Sequence, residues 1–173
     1  MSVAINRPIS RRRVIQGVGA SLGVLALRGF SVQASEPVHF THGVASGDPL
    51  ADRVILWTRA IPGSGNHSNV SALWQMAADN EFTQILASGN ASATNDSDYT
   101  IKVDATDLAP NQKYFYRFIV DGISSPIGQT KTLPLGIVDE YKIGVASCSN
   151  YPQGYFNAYK HMAESDLDLV LHL

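Results

Sequence analysis

The run Tyr99-Thr-Ile-Lys-Val-Asp-Ala105 alternates apolar and polar side chains: Tyr99, Ile101 and Val103 share one face of an extended chain, and Thr100, Lys102 and Asp104 share the other. A period of two sets the first group against a core and the second in water, as in an antiparallel strand covered on one side. Outward from it, Val38 to about Pro134 offers only short runs of this kind, separated by Gly, Pro, Asn, Asp and Ser clusters. No stretch there sustains a helical period, so an all-β unit is predicted. Arg53–Arg59 carries Val54, Ile55, Leu56 and Trp57 in succession, and Ser71–Ala77 carries Leu73, Trp74 and Met76. Both are predicted as strands deep in a two-sheet packing, with Lys113–Val120 as a fourth strong strand.

The segment Leu108-Ala-Pro-Asn-Gln-Lys-Tyr114-Phe-Tyr116 resembles the corner of fibronectin type III and immunoglobulin-like sandwiches, in which a Tyr at the start of a late strand bonds back to the upstream loop. Tyr114 is the candidate for that role. Pro62-Gly-Ser-Gly-Asn-His67 reads as a turn rather than a phosphate-binding loop, since no helix follows it. Asn66, Asn69, Asn90 and Asn95 each open an Asn-x-Ser triplet, read here as loop composition rather than as glycosylation sites.

After the linker Leu133-Pro-Leu-Gly136 the pattern changes. An apolar strand from Tyr141 to Ala146 leads into the loop Ser147-Cys-Ser-Asn-Tyr-Pro-Gln153 and then a helix. Tyr155, Phe156, Tyr159, Met162 and Ala163 form one apolar face of that helix, suited to packing on a sheet. Asp168-Leu-Val-Leu-His-Leu173 then has the composition of a buried parallel strand. One β-α-β unit cannot cover both faces of a parallel sheet and would leave a strand edge open. The last forty or so residues are therefore expected to open a larger α/β domain, and the sequence reads as a fragment.

The first 34 residues contain Arg7, Arg11, Arg12, Arg13 and Arg28 and no acidic group. A basic region ending at Arg13, an apolar run Val14–Leu27 and small residues before Ala34 have the form of an export signal cleaved after Ala34. The run is too short, and too diluted by Gly17, Gly19 and Gly23, for a permanent membrane anchor. Ser10-Arg-Arg-Arg-Val-Ile-Gln16 resembles the twin-arginine export motif, which implies the twin-arginine machinery as a partner and a periplasmic or extracellular location. The 173 residues carry 13 Lys+Arg against 15 Asp+Glu, but the part after Ala34 has a net charge of −7. That balance argues against nucleic acid as a partner.

Cys148 is the chain's one cysteine, so it forms no intrachain disulfide. It stands just past the end of the first strand of the β-α-β unit, where open α/β sheets place ligands. A thiolate there suits iron or zinc, although on the residues alone a lone Cys is more often a buried structural thiol. His172, near the end of the second strand, is a weaker candidate, more often a core residue. His39, His42, His67 and His161 lack ligand-like spacing. Asp48, before Pro49, is read as a turn residue rather than a catalytic carboxylate.

Phe40-Thr-His-Gly-Val-Ala-Ser-Gly-Asp48-Pro49, Arg53-Val-Ile-Leu-Trp57-Thr-Arg59, Lys142-Ile-Gly-Val-Ala-Ser-Cys148-Ser-Asn150-Tyr, Tyr155-Phe156 and Asp168-Leu-Val-Leu-His-Leu173 are together similar to PhoD-type alkaline phosphatases. The resemblance implies a secreted hydrolase of phosphate mono- and diesters. Its parts are a twin-arginine signal (1–34), a fibronectin/Ig-like sandwich (35–134) and the start of a calcineurin-like α/β metallophosphatase domain (135–173). It also implies iron and calcium as cofactors, with Cys148 as an iron ligand. The bridging carboxylate and a tyrosine ligand come in a Gly-Asp motif expected directly after Leu173. No catalytic residue is assigned within the 173, which are expected to be inactive alone. The alternative is a secreted β-sandwich that binds without catalysis.

Overall fold

The period-two pattern becomes two facing antiparallel sheets. In the computed structural model of the protein, which describes residues 36–63 and 69–173, this part contains β1 (Val44–Gly47), β2 (Val54–Arg59), β3 (Asn69–Ala77), β4 (Ile85–Thr94), β5 (Thr100–Ala105), β6 (Lys113–Val120), β7 (Ile123–Ser124) and β8 (Gly128–Lys131). The expected export signal, Asn66 and His67 lie outside the described residues. One sheet has the order β1-β2-β5 and the other β4-β3-β6-β7, with β8 also on β6. Ser125-Pro126-Ile127 separates β7 from β8. The Ser125 N–H donates to Phe118 O at 2.8 Å and its Oγ accepts the Phe118 N–H at 3.0 Å, so the backbone of β6 stays paired across the break.

The alternation in β5 behaves as expected, with Ile101, Val103 and Ala105 buried and Lys102 and Asp104 exposed. Strand β6 covers the predicted span and sends Tyr114, Tyr116, Phe118 and Val120 into the core. Tyr116 and Phe118 meet edge to face, ring centres 6.5 Å apart. Tyr114 closes the expected corner: its hydroxyl accepts the Ala109 N–H at 2.8 Å and donates to Ala109 O at 3.4 Å.

Two expectations about depth fail. Val54, Leu56 and Thr58 of β2 are fully buried while Ile55 and Trp57 are only half-buried, because one sheet packs on a single facing layer and cannot bury both sides of a strand. In β3 the core-facing residues are Val70, Ala72, Trp74 and Met76, and Leu73 points outward, 36% exposed. Asn69 and Asn90 belong to strands rather than loops, and Asn95 opens a 3-10 turn, Asn95–Ser97. Strand β4 escapes sequence reading because it is built of small residues. Gly89 lies opposite Trp74, whose indole covers it so closely that a Cβ there would be 2.8 Å from Nε1.

Beyond the sandwich the β-α-β unit is present: β9 (Ile143–Ala146), α1 (Asn157–Glu164) and β10 (Leu169–His172). The two strands pair in parallel, Ile143 opposite Leu169 and Ala146 opposite His172. Gly144 of β9 is closely covered: a Cβ there would be 2.7 Å from Leu167 Cδ1, so the leucine side chain would have to move, and 3.6 Å from the Met162 side chain. The helix starts later than its apolar pattern suggests. Phe156 caps it in the left-handed region (φ 51°) and Tyr155 is 91% exposed, leaving Tyr159 and Met162 as the half-buried part of the expected face. Ile143, Val145, Val170 and Leu171 are between 43% and 56% exposed, as expected where one β-α-β unit leaves its small sheet partly uncovered, with α1 packed on β9. No helix among the described residues is long and apolar enough to cross a membrane.

Candidate functional site

The parallel pairing of β9 and β10 brings the sequence candidates to one end of a small sheet. His172 lies opposite Ala146, two residues before Cys148, and the Leu173 N–H donates to Ala146 O at 2.9 Å. Cys148 is exposed and free, and stands in the left-handed region (φ 57°) where the chain turns off β9. The loop is held by aromatic packing. Tyr151 packs on Phe156 and Phe156 on Tyr159, with ring centres 5.9 and 5.7 Å apart, and the Ser149 hydroxyl bonds that of Tyr159. The His172 ring stacks on Tyr159, centres 6.0 Å apart and planes 19° from parallel.

A metal site of this kind needs about four donors. Cys148 carries a free thiol, a soft donor type, just past the carboxyl end of β9, and the His172 ring, at the end of the neighbouring strand, is stacked on Tyr159. Among the described residues no group of three His, Cys, Asp or Glu is placed to hold an ion, so these residues do not by themselves complete a metal site. His39 joins Ile61 in an isolated bridge, and the His42 ring bonds Thr41 Oγ1 at 2.8 Å. His161 is exposed on α1. None of the three belongs to a group of three potential ligands among the described residues.

At the opposite end of the strands, charges join the sheet to the sandwich. Asp168, just before β10, pairs with Lys131 of β8, and its second oxygen accepts the Lys142 N–H at 2.7 Å at the start of β9. Lys113 of β6 reaches Asp166 at 3.5 Å, and Lys142 reaches the same carboxylate at 3.8 Å. The Lys131 ammonium, with the Lys142 N–H, holds the Asp168 carboxyl below its usual 3.8. Burial, with the Asp168 charge adding to it, pushes the Tyr141 phenol up; its hydroxyl is buried without a hydrogen-bond partner. Between β10 and the sandwich runs a groove of about 810 Å³, lined among others by Asp48, Leu50, Lys113, Lys131, Asp168 and His172. Asp48, in the left-handed region (φ 45°), is therefore a wall of that groove as well as a turn residue.

Sequence reading missed this junction. Lys131 and Asp168 are 37 positions apart on elements with no shared period, and only the tertiary arrangement joins them.

Comparison with known proteins places the geometry in context. The model described as "PhoD-like phosphatase, N-terminal domain" matches residues 26–134, and that described as "PhoD-like phosphatase" matches residues 143–173. Alkaline phosphatase D of Bacillus subtilis (strain 168) is 40% identical over 185 residues, covering 97% of this chain and 32% of that protein. A solved structure titled "Structure of PhoD" superposes with a TM-score of 0.74 at 44% identity, covering 81% of this chain and 28% of that one. The chain thus spans about a third of the length of these relatives.

Proposed function

Because the chain belongs to the PhoD-like phosphatase family, we propose that it serves phosphate-ester hydrolysis as the sandwich and first β-α-β unit of an exported alkaline phosphatase or phosphodiesterase. The observation that supports this reading is the similarity to alkaline phosphatase D along 97% of the chain, through both the sandwich and the β9-α1-β10 unit. Export by the twin-arginine route rests on Ser10–Gln16 and on the acid-free first 34 residues. Small-molecule phosphate esters are the proposed substrates, and iron and calcium the proposed cofactors.

In this reading Cys148 gives one thiolate to the metal centre, from the carboxyl end of β9, and the other ligands come from outside the described residues. Bound metal ions in such a centre hold phosphate oxygens and lower the pKa of a water molecule. What the chain's own residues contribute is placement. The Ser149–Tyr159 bond and the Tyr151, Phe156, Tyr159 and His172 packing fix the loop that presents the thiol.

The test is a chimera in which residues 35–173 replace the matched part of the Bacillus alkaline phosphatase D. It should hydrolyse p-nitrophenyl phosphate, and Cys148→Ala within it should lose more than the roughly 10–100-fold typical of outer-shell partners. A fully active Cys148→Ala chimera would remove the metal role. Residues 35–173 alone should show no hydrolysis above their own Cys148→Ala control.

A further inference from the structure

We propose that Lys131 and Asp168 are positioning residues for the Cys148 loop, through which the sandwich sets where the thiol stands. One carboxylate serves three segments: it takes the ammonium of Lys131 on β8, it accepts the backbone N–H of Lys142 where β9 begins, and it sits at the head of β10. Side-chain exposures of 23% for Lys131 and 17% for Asp168 mean that water screens this pair far less than the other ion pairs of the junction. Lys113–Asp166 and Lys142–Asp166 flank it from the same side.

Pinning the base of the two strands fixes their other end, because β9 and β10 are paired over their full four-residue length and Leu167 and Met162 pack over Gly144. Cys148 follows β9 by two residues, so the rotation of this small sheet about its base determines the position of the thiol. The linker does not do so by itself. It is fastened to the sandwich as far as Leu133, whose N–H donates to Leu50 O and whose carbonyl accepts the Asn111 N–H, both at 3.0 Å. If Asp168 were released, the eight residues 134–141 would behave as a flexible chain, with an end-to-end spread of about 15 Å.

This inference deepens the phosphatase reading, since the positioned group is the metal ligand proposed there, but its test needs neither metal nor substrate. Spin labels on native Cys148 and on Lys102→Cys, at an exposed site of β5, report the distance between the loop and the sandwich in the full chain. A single narrow distribution is expected. Lys131→Met, which keeps the stem and removes the charge, should broaden it toward the 15 Å scale of a free linker. Lys131→Arg should restore the narrow distribution. The unfolding midpoint of the sandwich, followed by Trp57 and Trp74 fluorescence, should be the same in all three.

An unchanged distribution in Lys131→Met overturns the proposal. So does broadening that appears only together with a lowered sandwich midpoint, because that is a stability effect. If the distances behave as expected while the chimera is inactive, the positioning stands and the phosphatase reading falls.

Discussion

Replacing Tyr114 by Phe should destabilise the sandwich by about 1–2 kcal/mol. The ring is 3% exposed and stays in place, so no cavity is made and the whole effect belongs to the hydroxyl. That hydroxyl makes two bonds to Ala109, of which the shorter, accepting the N–H at 2.8 Å, carries most of the energy. The Ala109 carbonyl is not orphaned, because Thr132 Oγ1 also donates to it at 2.7 Å. Ala109 is itself exposed, so water recovers part of the lost bond; this keeps the cost below the roughly 3 kcal/mol of a fully buried orphan. Urea unfolding followed by Trp57 and Trp74 should show a lower midpoint with an unchanged slope. The thermal midpoint should fall by roughly 5–10 °C. Tyr155→Phe, at a ring 91% exposed, is the control and should change nothing. A Tyr114→Phe effect below about 0.5 kcal/mol, within the range of ordinary surface substitutions, would refute the reasoning.

Three further outcomes are expected. Gly89→Val places a side chain where Trp74 Nε1 lies 2.8 Å from the Cβ position, and should cost about 1–3 kcal/mol with a shift in tryptophan emission; equal stability and an unshifted spectrum would mean the indole does not cover this glycine. The Asp168 carboxyl is held low by Lys131 and Lys142, so its stabilisation is complete above the unfolded value of 3.8 and is lost as pH falls through the lower folded value. Hydrogen exchange of the β10 amides should thus stay slow down to about that pH, and Asp168→Asn should abolish the acid-dependent step; release well above 3.8 would count against the pairing. Cys148, exposed and free, should take up one equivalent of a thiol reagent in the folded protein, whereas reaction only after denaturation would make it the buried structural thiol of the alternative reading.

The sandwich was legible where a strand pairs alternation with strong β formers. Thr100–Ala105 satisfies both conditions and is legible in register, whereas Lys113–Val120 has the β formers without the alternation, so its span is legible but not its buried face. Strand β4 satisfies neither, because its Ala, Ser, Gly and Asn residues take their place from the covering Trp74 and not from their own burial. The apolar successions at Val54–Trp57 and Leu73–Trp74 overstated depth, since a sequence run cannot show whether a sheet has one facing layer or two. At the site, strand order placed Cys148 and His172 together, as the β-α-β pattern required. The base of the same sheet was invisible, because Lys113, Lys131, Lys142, Asp166 and Asp168 read individually as ordinary surface charges.

The joint between the sandwich and the β9-α1-β10 unit bears on how freely such modules can be exchanged. The family models break between residues 134 and 143, so a graft made there would look seamless in the sequence. Energetically the cut runs through a shared carboxylate. A foreign sandwich without a cation at the β8 position would leave Asp168 with a poorly compensated charge beside the buried Tyr141 hydroxyl. Portability of either half thus depends on the residue at the Lys131 position as much as on the fold that carries it.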